Sequence, residues 1–163
     1  MKKLFLVNLV ILSLFTFSLN SIHAKTSEDY GLTVQNTLPS SPTYVFKRVK
    51  EKLSMILKFS NNSKFAYSLQ LLEKRLSELV TIVDNKNLDQ MVTNSQRFSY
   101  QAGITATINA KLKDNQNDKM RKVFNKYSQV LDELRDNYPA NSAYWLLMQQ
   151  NIDTLNILLA EMK

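Results

Sequence analysis

The chain has 163 residues, enough for one domain and too few for two ordinary ones, and its 44% hydrophobic content supports a packed core rather than disorder. Two Gly, three Pro and no Cys argue against turn-rich sheets, glycine-rich phosphate loops and disulfide scaffolds, so the composition reads as all-α. The formal charge of +7 suits an anionic partner.

Lys2 and Lys3 open the chain, and the 16 residues from Leu4 to Leu19 are apolar apart from Asn8 and a few hydroxyl residues. Ser18 to Ala24 then ends on a small residue. This pattern predicts a signal peptide over residues 1–24, cut after Ala24, with Ile22 at the outer recognition position. The apolar run is shorter than the ~20 residues that span a bilayer, and a retained N-terminal anchor is the alternative. With no Cys after the leader, attachment through a lipidated cysteine is excluded. The expected product is an exported protein, whether periplasmic, extracellular or held at the cell envelope. The leader removes two of the 21 Lys and Arg, leaving 19 against 14 Asp and Glu, a mature charge of +5. His23, the only histidine, leaves with it.

Lys25 to Leu38 is short and polar and reads as a flexible tether over residues 25–38, ahead of a helical domain over 39–163. Ser41 and Pro42 suit a helix start, one as a cap and the other at the first helical position. A first helix is expected from there to about Phe59. Phe46, Val49, Leu53, Ile56 and Leu57 share one face of it, spaced as in a half-buried helix. Ser60 to Ser63 reads as a turn and cap. The second helix has the clearest period in the chain, with Phe65, Leu69, Leu72, Leu76, Leu79 and Val83 alternating at four and three. Lys74 and Glu78 fall one turn apart on its expected outer side.

The third helix is expected from Leu88 to Leu112, carried by Met91, Ser95, Phe98, Ala102, Thr105, Ile108 and Leu112. Its stretch 103–108 is β-branched enough to resemble a strand, but no turn signal interrupts it. Ser95, Ser99, Gly103, Ala106 and Ala110 are small enough to admit a neighbouring backbone. A fourth helix from Asn117 to Asp136 carries Met120, Val123, Tyr127, Val130 and Leu134 on one face, and Asn137 to Asn141 breaks it. The fifth, Ser142 to Met162, carries Trp145, Met148, Ile152, Leu155, Leu159 and Met162. The whole predicts an up-and-down antiparallel bundle of about five helices behind the signal peptide.

The mature chain has neither thiolate nor imidazole, so zinc, haem and copper chemistry and Ser-His or Cys-His catalysis have no side chains to work with. No cofactor, metal site or catalytic residue is expected. Glu51, Glu73, Glu78, Glu133 and Glu161 fall on faces read as exposed, which disfavours a glycan-cleaving acid. The methionines after Met1 are dispersed and read as core filling. Phe98, Tyr100, Tyr144 and Trp145 read as bundle packing before ligand stacking.

The most functional feature is basic. Between residues 47 and 64 stand Lys47, Arg48, Lys50, Lys52, Lys58 and Lys64 against Glu51 alone. Lys47, Arg48, Lys50, Lys52 and Lys58 make a candidate face for an anionic membrane surface, an acidic wall polymer or an envelope protein. Export removes nucleic acid from consideration. The bland reading is a solvated face whose Lys stems cover core edges.

Leu38-Pro39-Ser40-Ser41-Pro42-Thr43-Tyr44, followed by Lys47-Arg48 and Glu51, resembles a prokaryotic family opening L-P-x-S-P-x-Y-x-x-K-R-x-x-E. The likeness continues through Phe59, Glu73, Arg75-Leu76 and Glu78, over residues 38–80. Similar proteins carry Asp-Pro where this chain has Ser60-Asn61, one cap in place of another. The family is a domain of unknown function found after signal peptides or membrane anchors, and the resemblance implies export and helices without an activity. Together these features point to an exported helical binding module at the cell envelope. A small extracytoplasmic chaperone or stress-sensing module is the first alternative, and a wall-glycan enzyme the second.

Overall fold

The structure, a computed structural model, describes residues 25–35 and 41–162. The expected signal peptide and its cut after Ala24 lie outside the described residues. Five helices follow one another: α1 (Tyr44–Ile56), α2 (Asn61–Asp84), α3 (Met91–Ala110), α4 (Asn117–Arg135) and α5 (Ala143–Glu161). A 3-10 turn, Leu88–Gln90, leads into α3. The helices pack antiparallel, as the all-α bundle expected from sequence. α2 lies against α3 and α4 against α5, and contact between α3 and α5 joins these two hairpins. No helix among the described residues is long and apolar enough to cross a membrane.

The apolar spacing of each core helix is realised as burial. Phe65, Leu69, Leu72, Leu76, Leu79 and Val83 of α2 are all buried, against Met91, Phe98 and Ala102 of α3. Met120, Phe124, Leu131 and Leu134 of α4 close on Met148, Ile152 and Leu155 of α5. Side chains cap the starts of α2 and α5, while α1 begins after Thr43 without a side-chain cap, where Ser41 was expected to supply one. The Ser60 hydroxyl accepts from the Ser63 N–H at 3.1 Å, and that of Ser142 from the Trp145 N–H at 3.3 Å. α2 stops where Lys86 turns left-handed (φ 53°), with its N–H donating to Val83 O and the Asn87 N–H to Ile82 O.

Residues 103–108 are helical throughout. Thr105 donates to the Gln101 carbonyl at 2.8 Å and contacts Ser68 Oγ at 2.7 Å, so its β-branched side chain is satisfied in α3. Ser95 and Ser99 do admit a neighbour, donating to Leu147 O and Asn151 Oδ1 of α5. Gly103 does not, for a Cβ there would meet nothing within 4 Å.

Two expectations are corrected. Residues 25–35 are fastened to the bundle, where a flexible tether was expected. Leu32 is buried in the main core. The Ser77 hydroxyl of α2 donates to Thr33 O at 2.7 Å, and Lys25 and Tyr30 both reach Glu133 of α4, at 2.6 and 3.1 Å. Gly31, left-handed at φ 61°, makes the turn that aims Leu32 inward. One buried apolar residue and a few hydrogen bonds, most of them between side chains, were enough to dock a segment whose composition looked like linker.

The second correction concerns α1, whose apolar face does not pack. Phe46 is 78% exposed and Ile56 72%, while Val45, Val49, Leu53 and Leu57 are exposed beside them. The opposite face, with Tyr44, Lys47 and Glu51, lies against α2. There α2 presents Arg75 and Glu78, both buried. Arg75 and Glu78 pair with each other, and the polar side of α1 supplies the further partners their remaining donors and acceptors need in a buried site.

Candidate functional site

The contact between α1 and α2 is a polar cluster centred on Glu78, which is fully buried. Arg75, one turn earlier on α2, donates to both Glu78 oxygens at 2.9 and 3.0 Å. Lys47 reaches Glu78 Oε1 at 3.0 Å from α1, and Tyr44 Oη donates to Oε2 at 3.2 Å. The other guanidinium nitrogen of Arg75 pairs with Glu51, whose second oxygen lies 2.7 Å from Lys74 Nζ. Arg97, from α3, donates to Tyr44 Oη at 3.0 Å and lies over the Tyr44 ring at 4.9 Å.

Charge and burial oppose each other throughout the cluster. Burial pushes the Glu51 carboxyl up, but Lys74 and Arg75 outweigh it and hold the group below its ordinary value. For Lys47 burial wins, and its ammonium is lowered despite Glu78. The Tyr44 phenol is raised by burial and by the Glu78 charge. Arg75 is raised, because Glu78 and Glu51 outweigh its burial.

Sequence spacing placed Glu51 and Glu78 on exposed faces, with Lys74 and Glu78 on the outer side of α2. Both carboxylates are buried instead, because α1 covers that side of α2. Glu73 is half-buried and Glu133 and Glu161 are exposed, as expected of surface carboxylates. A usable signal was present in the sequence. Tyr44, Lys47 and Glu51 recur on one face of α1, and Arg75 and Glu78 on one face of α2, with complementary charge.

Of the five cations assigned to an anionic surface, the structure separates two from three. Lys47 is turned into the cluster, and Lys58 lies over the Tyr67 ring at 5.6 Å. Arg48, Lys50 and Lys52 are exposed, bordering the apolar face on both sides. Glu51, the only acid of α1, points inward, so the outer face carries cations and apolar groups alone. At the other end, the Tyr138 and Tyr144 rings meet in a tilted contact at 5.4 Å and Arg135 covers Trp145 at 5.3 Å, so these aromatics serve the packing of α4 on α5.

Among the described residues no group of three His, Cys, Asp or Glu is placed to hold a metal ion. Residues 36–141 match a domain of unknown function, DUF5667. The chain belongs to this family. The DUF5667 match runs from before α1 through the end of α4, well past residues 38–80 where the resemblance was first visible, and takes in both halves of the polar cluster. No curated protein and no solved structure matches the chain.

Proposed function

We propose that this DUF5667 protein is an exported binding module of the cell envelope that docks on an anionic membrane surface through the outer face of α1, without enzymatic activity. The observation that carries this reading is the outward apolar face bordered by Arg48, Lys50 and Lys52. Leaving a large apolar side chain in water forgoes roughly 1.5–3 kcal/mol that burial would supply. Five such groups on one short helix, with Leu57 just past its end, define a surface that a partner would cover. A lipid interface takes the apolar groups into its acyl boundary while the flanking cations meet the headgroups. A polar wall polymer would satisfy the cations and leave Phe46 and Ile56 in water. A second copy would set cations against cations, since no acid lies on that face. The outer face of a single helix is convex, which suits a membrane better than an unfolded client; this sets the chaperone reading second.

Co-sedimentation with vesicles of phosphatidylglycerol and phosphatidylcholine provides the test. Wild-type protein should bind the mixed vesicles, and binding should weaken as salt screens the cations. Lys50→Glu with Lys52→Glu should release it, since each Lys near an anionic surface contributes about 1 kcal/mol. Phe46→Ser with Leu53→Ser should do the same through the apolar term. Equal binding to neutral vesicles, or binding that survives both double variants, would overturn the reading. Suppression of client aggregation without vesicle binding would favour the chaperone alternative.

A further inference from the structure

The edge of α1 where Arg48 and Lys52 flank its exposed face borders a cavity of about 180 Å³ against α2 and α3. Its wall divides by chemistry. Met55, Leu71 and Ile104 make one part apolar, and Arg48, Lys52 and Arg97 make another cationic. None of those three cations has a carboxylate at ion-pair distance among the described residues. The one carboxylate in the wall, Glu51, is already taken by Lys74 and Arg75.

Arg97 is the residue to explain. Its guanidinium is fixed by the Tyr44 hydroxyl at 3.0 Å and by the ring at 4.9 Å, and Arg75 converges on the same phenol oxygen at 3.1 Å. A guanidinium presents five N–H donors in a planar fork, and the bond to Tyr44 uses one of them. What remains is an oriented cation beside a small cavity, with two further cations arriving from α1. We propose that this cavity binds a phosphate ester carrying a short apolar group. Oxyanions are what arginine forks recognise. Donors approaching from both α1 and α3 suit a tetrahedral anion, whose oxygens point several ways, better than a flat carboxylate. The apolar wall then receives the ester substituent. The volume lies below the ~300 Å³ at which sites for drug-sized ligands begin, which restricts the occupant to headgroup size. The inference goes beyond membrane docking: Arg97 and Ile104 belong to α3, and a soluble ester tests them without any lipid surface.

Isothermal titration calorimetry with dibutyl phosphate is the first measurement, with hexanoate as the flat-anion control. Dibutyl phosphate should bind and hexanoate should bind at least several-fold more weakly. Arg97→Gln should weaken dibutyl phosphate about tenfold or more, the effect of losing a charge-assisted hydrogen bond. Ile104→Phe, which fills the cavity without changing its charge, should also abolish binding and serves if Arg97→Gln does not fold. Glycerol 3-phosphate and monomeric dihexanoylphosphatidylglycerol then separate a free phosphorylated polyol from a lipid headgroup as the source. Absence of heat with dibutyl phosphate at about 10 mM, beyond the range useful for so small a ligand, would overturn the proposal. So would an affinity unchanged in both variants, or hexanoate binding as tightly as the phosphate ester.

Discussion

Glu51 carries a pH dependence whose sign follows from its surroundings. Its native carboxyl is held below its ordinary value of 4.5, with Lys74 and Arg75 overcoming the burial that would raise it. A group depressed in the folded state stabilises that state above its unfolded value, and the contribution is lost as pH falls through the native one. The attachment of α1 to α2 should therefore be intact at neutral pH and loosen below about pH 4.5. Amide hydrogen exchange should show α1 opening on acidification while α2 and α3 stay protected. Glu51→Gln should loosen α1 at neutral pH and flatten that pH response. Gly103 offers the opposite case. It sits inside α3 with helical geometry and open space where a Cβ would stand. Gly103→Ala should stabilise the protein by about 0.5–1 kcal/mol, seen as a higher melting temperature, because the only change is the entropy lost by a glycine in a helix.

At the scale of elements, helices with a regular apolar period were readable, since period and burial coincide in α2, α3, α4 and α5. Leu72, Phe98, Met120 and Leu155 are buried where their spacing put them. The same rule failed for α1 because it assumes that an apolar stripe faces the core. In α1 the stripe faces water, and Tyr44 and Glu51 face the core, answering Arg75 and Glu78 from a helix 20 or more positions away. Periodicity within one helix carries no information about which charges another helix has buried. Residues 25–35 failed for a related reason. Composition described the segment as linker, while its docking rests on Leu32 and on hydrogen bonds to Ser77, Glu73 and Glu133. Leu32→Ala should cost about 2–4 kcal/mol in a denaturant melt, in the range of other buried large-to-small substitutions. A change near zero would mean that the segment is loosely held.

The whole molecule is thus a bundle of α2 to α5 bound by apolar packing, with α1 attached by charge and hydrogen bonds. These two kinds of cohesion respond differently to temperature. Opening the core hydrates apolar surface, with a positive heat-capacity change of ~12–15 cal/mol/K per residue, so its stability follows a curved dome. Freeing α1 hydrates chiefly the polar groups of Tyr44, Lys47, Glu51, Arg75 and Glu78, and hydrating polar surface lowers the heat capacity. The hold of α1 on α2 therefore does not follow the dome-shaped curve of the core. Cooling that weakens apolar packing in the core does not weaken this junction by the same route.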